Sequence, residues 1–277
     1  MKKIILMTLC SVPFATQAAT EEIATTVNQN NSYLSAKSRA KTVSAGEIND
    51  TGWQLCSNGK GNNTSRCPIA GFNGQDAQYG RDAKALAGTL KKTGDGEAGF
   101  DFTKIANDGT TLPASATLGT GAKQWACTLD NVTGLLWEVK SDDFGLRYKL
   151  GSYSWYNPNA KTNGGHVGAQ NGGGCSGGIS CDTDSYVKKI NSITLCGKKD
   201  WHLPKQEELR SLVNYGTNNP AIDNNYFPNV QTNYGYWSSS PVAYGQSEAW
   251  SLNFYNGDDY PDDKKATYYI MLVSGKQ

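Results

Sequence analysis

Six cysteines, Cys56, Cys67, Cys127, Cys175, Cys181 and Cys196, follow a segment built like an export leader, and this combination limits the fold more than any other feature. Met1-Lys2-Lys3, a short apolar run from Ile4 to Phe14 and the small residues around Ala15–Ala19 have the plan of a signal peptide over residues 1–18. The run falls short of the roughly 20 apolar residues a spanning helix needs, so no transmembrane segment is expected there or later. Cys10 would leave with the leader. An even set of cysteines in an exported chain reads as a disulfide framework. Spacing favours Cys56 with Cys67 and Cys175 with Cys181, because each pair flanks a Gly/Asn/Ser-rich turn that closes at little entropic cost. Cys127 is then left with Cys196, and that bridge, closing the longest loop, should stabilise most, by about 4 kcal/mol. A zinc site would want C-x-x-C pairs, which the chain lacks.

Charge narrows the function classes. The 277 residues carry 26 Lys+Arg against 25 Asp+Glu, without the basic excess that holds nucleic acid. Two histidines, His166 and His202, leave little room for His-centred metal sites or proton relays.

Residues 19–50 are rich in Thr, Asn, Ser, Ala and Lys without an apolar period and read as a flexible linker. Residues 51–124 read as a small, irregular β-rich region in which Ala98–Ile105 alternates like a strand. Residues 125–277 carry sharper signals. Gly134–Val139 is a strand candidate; Asp182 can cap a helix reaching about Leu195; Trp201–Pro204 reads as a short strand, with Pro204 in the first turn of a second helix over 205–215. Ala249–Phe254 alternates with Trp250, Leu252 and Phe254 on one face, and Thr267–Val273 forms a last strand. Two helices among many short strands and long loops describe an α+β domain.

Several strings in order, Cys127-Thr-Leu-Asp-Asn-Val-Thr-Gly-Leu-Leu-Trp-Glu138, Leu195-Cys-Gly-Lys-Lys-Asp-Trp-His-Leu-Pro204, Asn219-Pro-Ala-Ile-Asp223, Tyr226-Phe-Pro-Asn229, Tyr236-Trp-Ser-Ser-Ser240 and Ala249-Trp250, resemble the Lcl C-terminal domain family, named after a bacterial collagen-like adhesin associated with sulfated glycans. The resemblance covers roughly Cys127 to Val273, and the Gly74–Tyr79 and Phe100–Lys104 strings are similar to upstream elements of longer members. It implies a C-type-lectin-like fold, related to formylglycine-generating enzymes, on an exported protein that binds at a surface. His202 stands where family members more often have Arg, and no collagen-like repeat is present.

Catalytic apparatus is not apparent. Trp137, Trp201, Trp237 and Trp250 read as core. Ser238–Ser240 lacks a nucleophile motif, and neighbouring Glu207 and Glu208 suit the start of a helix better than glycoside cleavage. The acidic loop Asn256–Asp263 offers hard oxygen ligands, but it lacks EF-hand spacing and carries Lys264-Lys265 to neutralise it. No cofactor is expected, Ca²⁺ being the one such a loop would suit. The segment 242–269 combines Tyr with Ser, Asn, Gly and Asp, a mixture suited to paratopes. Its expected ligand-binding residues are Tyr244, Gln246, Ser251, Asn253, Tyr255, Asn256, Asp258, Asp259 and Tyr260. Their composition also matches what adenine-directed diversification by a retroelement would yield.

The expectation is therefore a periplasmic, cell-surface or secreted binding protein for an extracellular protein or glycan. An enzyme of the formylglycine-generating or carbohydrate-active type is the alternative, and a structural surface or pilus-associated component a second one.

Overall fold

In the computed structural model, which describes residues 48–60 and 64–275, a hairpin of β1 (Leu55–Ser57) and β2 (Thr64–Arg66) comes first, fastened by the Cys56–Cys67 bridge. The expected leader and linker up to residue 47 lie outside the described residues. Next comes a helix absent from the sequence reading, α1 (Gly80–Leu86). Its N-cap residue, Tyr79, supplies no side-chain cap; the Asp82 amide donates instead to Asp50 Oδ2 at 2.9 Å. The Asp82 carboxylate, itself buried, accepts from the amides of Gly52 and Gly99.

Strands β3 (Phe102–Ala106), β4 (Trp125–Asp130) and β5 (Leu136–Glu138) form an antiparallel meander. The β4–β5 turn explains the Asp-Asn-Val-Thr-Gly string. Asp130 Oδ1 accepts from the amides of Val132 and Thr133, Oδ2 accepts from the Thr133 hydroxyl, and Gly134 takes φ +78°, which glycine adopts without steric cost. The family-like motif is a self-capping turn.

After β6 (Tyr153–Ser154), helix α2 (Thr183–Ser192) starts where expected, with Asp182 accepting from the Ser185 amide at 2.8 Å. It ends before Leu195 because Thr194 and Cys196 take left-handed φ values of 55° and 50°, reversing the chain so that Cys196 reaches Cys127. His202 makes only an isolated bridge to Val273, so the expected strand there is not formed. Helix α3 is Gln206–Arg210, shorter than expected, and Pro204 precedes its N-cap rather than entering its first turn. Leu212 and Val213 stay buried all the same; beyond them Asn214 and Tyr215 leave the helix to bond Ala221 and Thr51.

A second antiparallel meander follows, β7 (Tyr236–Val242), β8 (Gly245–Asn253) and β9 (Asp258–Asp263). The expected last strand is two pieces: β10 (Thr267–Tyr268) pairs with β6, and β11 (Val273–Ser274) completes a sheet of order β11-β5-β4-β3. The chain is α+β, with three α-helices among the described residues, one more than expected.

Two apolar clusters hold the sheets. One joins Phe100, Phe102, Trp137, Leu209, Leu252 and Phe254; the other gathers Trp155, Tyr186, Trp201 and Trp237 around the Cys127–Cys196 bridge. Three buried indoles donate across elements: Trp155 to Ser238 O, Trp237 to Tyr153 O and Trp201 to Leu195 O. Trp250, expected in the core, is only half-buried.

Candidate functional site

The β7–β8–β9 meander carries every residue expected to touch a ligand, but it divides them. Val242 pairs with Gly245, leaving Ala243 and Tyr244 at the tip of one hairpin. Asn253 pairs with Asp258 at the opposite end of β8, nine residues long and so spanning about 27 Å at roughly 3.4 Å per residue. Tyr244 and Gln246 therefore stand apart from Asn253, Tyr255, Asn256, Asp258 and Tyr260.

The β8–β9 end is a pre-formed turn. Asn253 Oδ1 accepts from the Tyr255 amide at 2.8 Å, Asn256 Oδ1 from the Asp258 amide at 3.2 Å, and Asn256 Nδ2 donates to Asp258. Gly257 sits at φ +84° against the segment that follows helix α3, where an added Cβ would lie 2.4 Å from Val213 Cγ1. Above this fixed backbone Tyr255 and Tyr260 remain 52% and 46% exposed, and Tyr244 at the far tip 77%.

Register separates the faces. Ser251 lies opposite Tyr260 and Asn253 opposite Asp258 on one face, while Leu252 lies opposite Asp259 on the face toward α3. Asp259 consequently points at Arg210 and forms an ion pair with it, its side chain only 4% exposed. Ser251 is buried, and its hydroxyl donates to Asp262 Oδ2 at 2.6 Å. Neither side chain is free to meet a ligand.

Lys264 corrects the sequence reading outright. Expected to neutralise the acidic loop, it is fully buried; its ammonium donates to the carbonyls of Asn163 at 2.8 Å, His166 at 3.0 Å and Gln246, and lies 4.5 Å from the Trp155 ring centroid. Burial lowers its pKa. Lysine here clamps the β7–β8 hairpin onto the 163–166 loop. The acids of the loop are held otherwise: Asp262 also accepts from the Tyr268 hydroxyl at 2.9 Å, and Asp263 from the Lys265 amide. Among the described residues no group of three or more His, Cys, Asp or Glu side chains is arranged to hold a metal ion.

Beside this face lies a groove that the sequence reading missed. About 310 Å³ in volume, it is lined by Leu150, Ser152, Tyr234, Thr267, Tyr268 and Tyr269. Asp262 connects it to the sheet by bonding both Ser251 and Tyr268, and Gly235, next to Tyr234, packs so closely on Ser251 that an added Cβ would fall 2.6 Å from its hydroxyl. The abundance of tyrosine in the last third of the chain was the one available signal; Tyr234 lay outside the expected segment.

The residues weighed for catalysis have structural partners. Glu208 is buried and accepts from the Lys205 amide at 2.7 Å, whereas Glu207 is exposed. Ser240 Oγ accepts from the Gln206 amide, and Ser238 is buried. Glu138, Lys140 and Tyr186 form a buried hydrogen-bonded trio, with Glu138 Oε2 also taking the Leu272 amide. Burial lowers the Lys140 pKa and raises that of Tyr186.

All three disulfides join the cysteines that spacing paired, as fits a chain that matures outside the cytoplasm. No helix among the described residues is long and apolar enough to cross a membrane. No curated protein and no solved structure matches the chain significantly. The model of the Lcl C-terminal domain matches residues 126–274, from the Cys127 strand to β11 and thus over more than half of the sequence, so the chain belongs to the Lcl C-terminal domain family.

Proposed function

We propose that this is an exported, non-catalytic binding protein that grips a protein or glycan at the cell exterior through the face of the β8–β9 meander. One observation carries the reading: Tyr255, on the β8–β9 turn, and Tyr260, on the adjoining strand β9, stand half-exposed beside a backbone already closed by Asn253, Asn256 and Gly257. Ordering such a surface on binding costs little entropy, and tyrosine offers large amphipathic contact area. Tyr244 would act as a separate contact at the other hairpin tip. An adhesive role on a C-type-lectin-like frame, suggested by the resemblance to the family's namesake, belongs to the same proposal, as does Ca²⁺-independent binding. Diversification of residues 242–269 would require a reverse-transcriptase gene and an adenine-rich near-copy of this segment beside the coding sequence; their absence rejects it.

The bridging of all six cysteines favours this reading over a cysteine-based enzyme. The test is a protein and glycan array probed with the full chain and with a Tyr244→Ala/Tyr255→Ala/Tyr260→Ala variant. Loss of the captured ligand by the variant, with unchanged thermal stability, is expected. Retention of full binding would reject the chosen face.

A further inference from the structure

We infer that the groove between Tyr234, Tyr268 and Tyr269 seats a ring of a neutral glycan. The inference goes beyond the binding-protein reading: it rests on that reading for the role of the molecule, but names a second site beside the β8–β9 face and the ligand class that site would take.

The groove is built to a fixed shape on two sides. Tyr268 is held edge-on by the buried Trp237 at 4.8 Å between centroids and by its hydroxyl bond to Asp262. Burial and that hydrogen bond push its phenol up to about 12, so it stays a neutral donor. Tyr269 packs on Tyr236 at 5.5 Å and donates to Asn233 Oδ1 at 3.2 Å. The third wall is Tyr234, 56% exposed, its ring 6.4 Å from that of Tyr268 and 6.2 Å from that of Tyr269. A volume of about 310 Å³ lies at the small end of ligand pockets, which run from about 300 to 1,000 Å³. That size suits a small cyclic unit and not a folded partner.

The lining identifies the unit. Five of the six side chains end in hydroxyls: Ser152, Tyr234, Thr267, Tyr268 and Tyr269. A sugar ring presents polarised C–H bonds on one face and hydroxyls around its edge. The first suits the negative face of an aromatic ring; the second suits the hydroxyl oxygens of the rim, where Tyr268 and Tyr269, whose protons already go to Asp262 and Asn233, accept.

Charge makes the ligand neutral. No Lys or Arg lines the groove, and the Asp262 carboxylate stands directly behind Tyr268. Sulfated or carboxylated glycans would meet like charge without a compensating cation.

The experiment uses the full chain, titrated calorimetrically with neutral oligosaccharides of glucose, galactose and N-acetylglucosamine, and with heparin and a proline-rich peptide as comparators. At least one neutral saccharide should bind. Tyr234→Ala should weaken that binding about tenfold, as expected for one lost aromatic contact of roughly 1.4 kcal/mol, whereas Tyr234→Trp should keep it. The exposed position makes Tyr234→Ala safe for folding, and an unchanged melting temperature verifies this. Neutral-sugar binding that is indifferent to Tyr234→Ala, or a groove that takes only heparin or the peptide, overturns the inference. If neutral saccharides fail while another ligand is captured and lost in the Tyr244/Tyr255/Tyr260 variant, the inference falls and the binding-protein reading stands. If neither the array nor the titrations yield a ligand, both fall.

Discussion

At the residue scale, His202 sets a pH dependence that an arginine at this position would remove. Its Nε2 lies 3.6 Å from Glu208 Oε2, and this contact raises the imidazole pKa above its ordinary 6.5. Burial alone would lift Glu208, but the His202 and Lys205 contacts outweigh it and hold the carboxyl below its ordinary 4.5. A raised histidine pKa contributes stability that is full below 6.5 and lost as pH rises through the folded value. A lowered carboxyl pKa contributes above 4.5 and is lost as pH falls through the folded value. The pair therefore holds best between those two limits. Thermal melts should show wild type losing stability from pH 6 to 8.5 relative to His202→Gln, by about 0.5 kcal/mol because the imidazole is partly solvated, whereas His202→Arg should not lose it. Parallel pH profiles for wild type and His202→Gln would disprove the coupling. Residue identity also marked Asp182 as a cap and Trp137, Trp201 and Trp237 as core, since each follows from local chemistry. Ser251 and Asp259 it could not assign, because alternation says which side chains share a face but not what covers that face.

At the element scale, the β7–β8 hairpin depends on the Lys264 clamp. The side chain lies 0% exposed and brings one donor group to three carbonyls, two from the 163–166 loop and one from strand β8. Lys264→Met would fill the space and leave those acceptors unpaired, so a loss of about 3 kcal/mol is expected from chemical denaturation. Faster amide exchange at Lys264 and nearby β8 should accompany it, since the Lys264 amide bonds Ser247 O beside the clamp. An unchanged denaturation midpoint would show the clamp to be dispensable. Such an anchor is invisible in sequence, where Lys264-Lys265 beside four aspartates reads as charge balance. Helix α1 was illegible for a related reason: its free Asp82 amide is capped by Asp50, 32 residues upstream. Helix α3 stops early because Asn214 and Tyr215 find backbone partners at Ala221 and Thr51, a tertiary gain exceeding that of another helical turn.

At the scale of the whole molecule, the three bridges should rank by the chain they close, with sequence separations of 6, 11 and 69 residues. Replacing both cysteines of a pair with Ala should cost about 2 kcal/mol for Cys175–Cys181, about 3 for Cys56–Cys67 and about 4 for Cys127–Cys196 in denaturant titrations. A Cys127/Cys196 variant as stable as the other two would contradict this order. Those pairings, the buried indoles, the α+β class and the family were determined by the sequence itself, because turn composition, apolar period and ordered motifs act over short stretches of chain. Tertiary structure alone decided that the expected binding residues fall at opposite ends of one strand, that Ser251 and Lys264 face inward, and that Tyr234 joins Tyr268 and Tyr269 in a groove. Each of these depends on which distant segment a side chain meets, and that is fixed only when sheets, loops and bridges close around a common core.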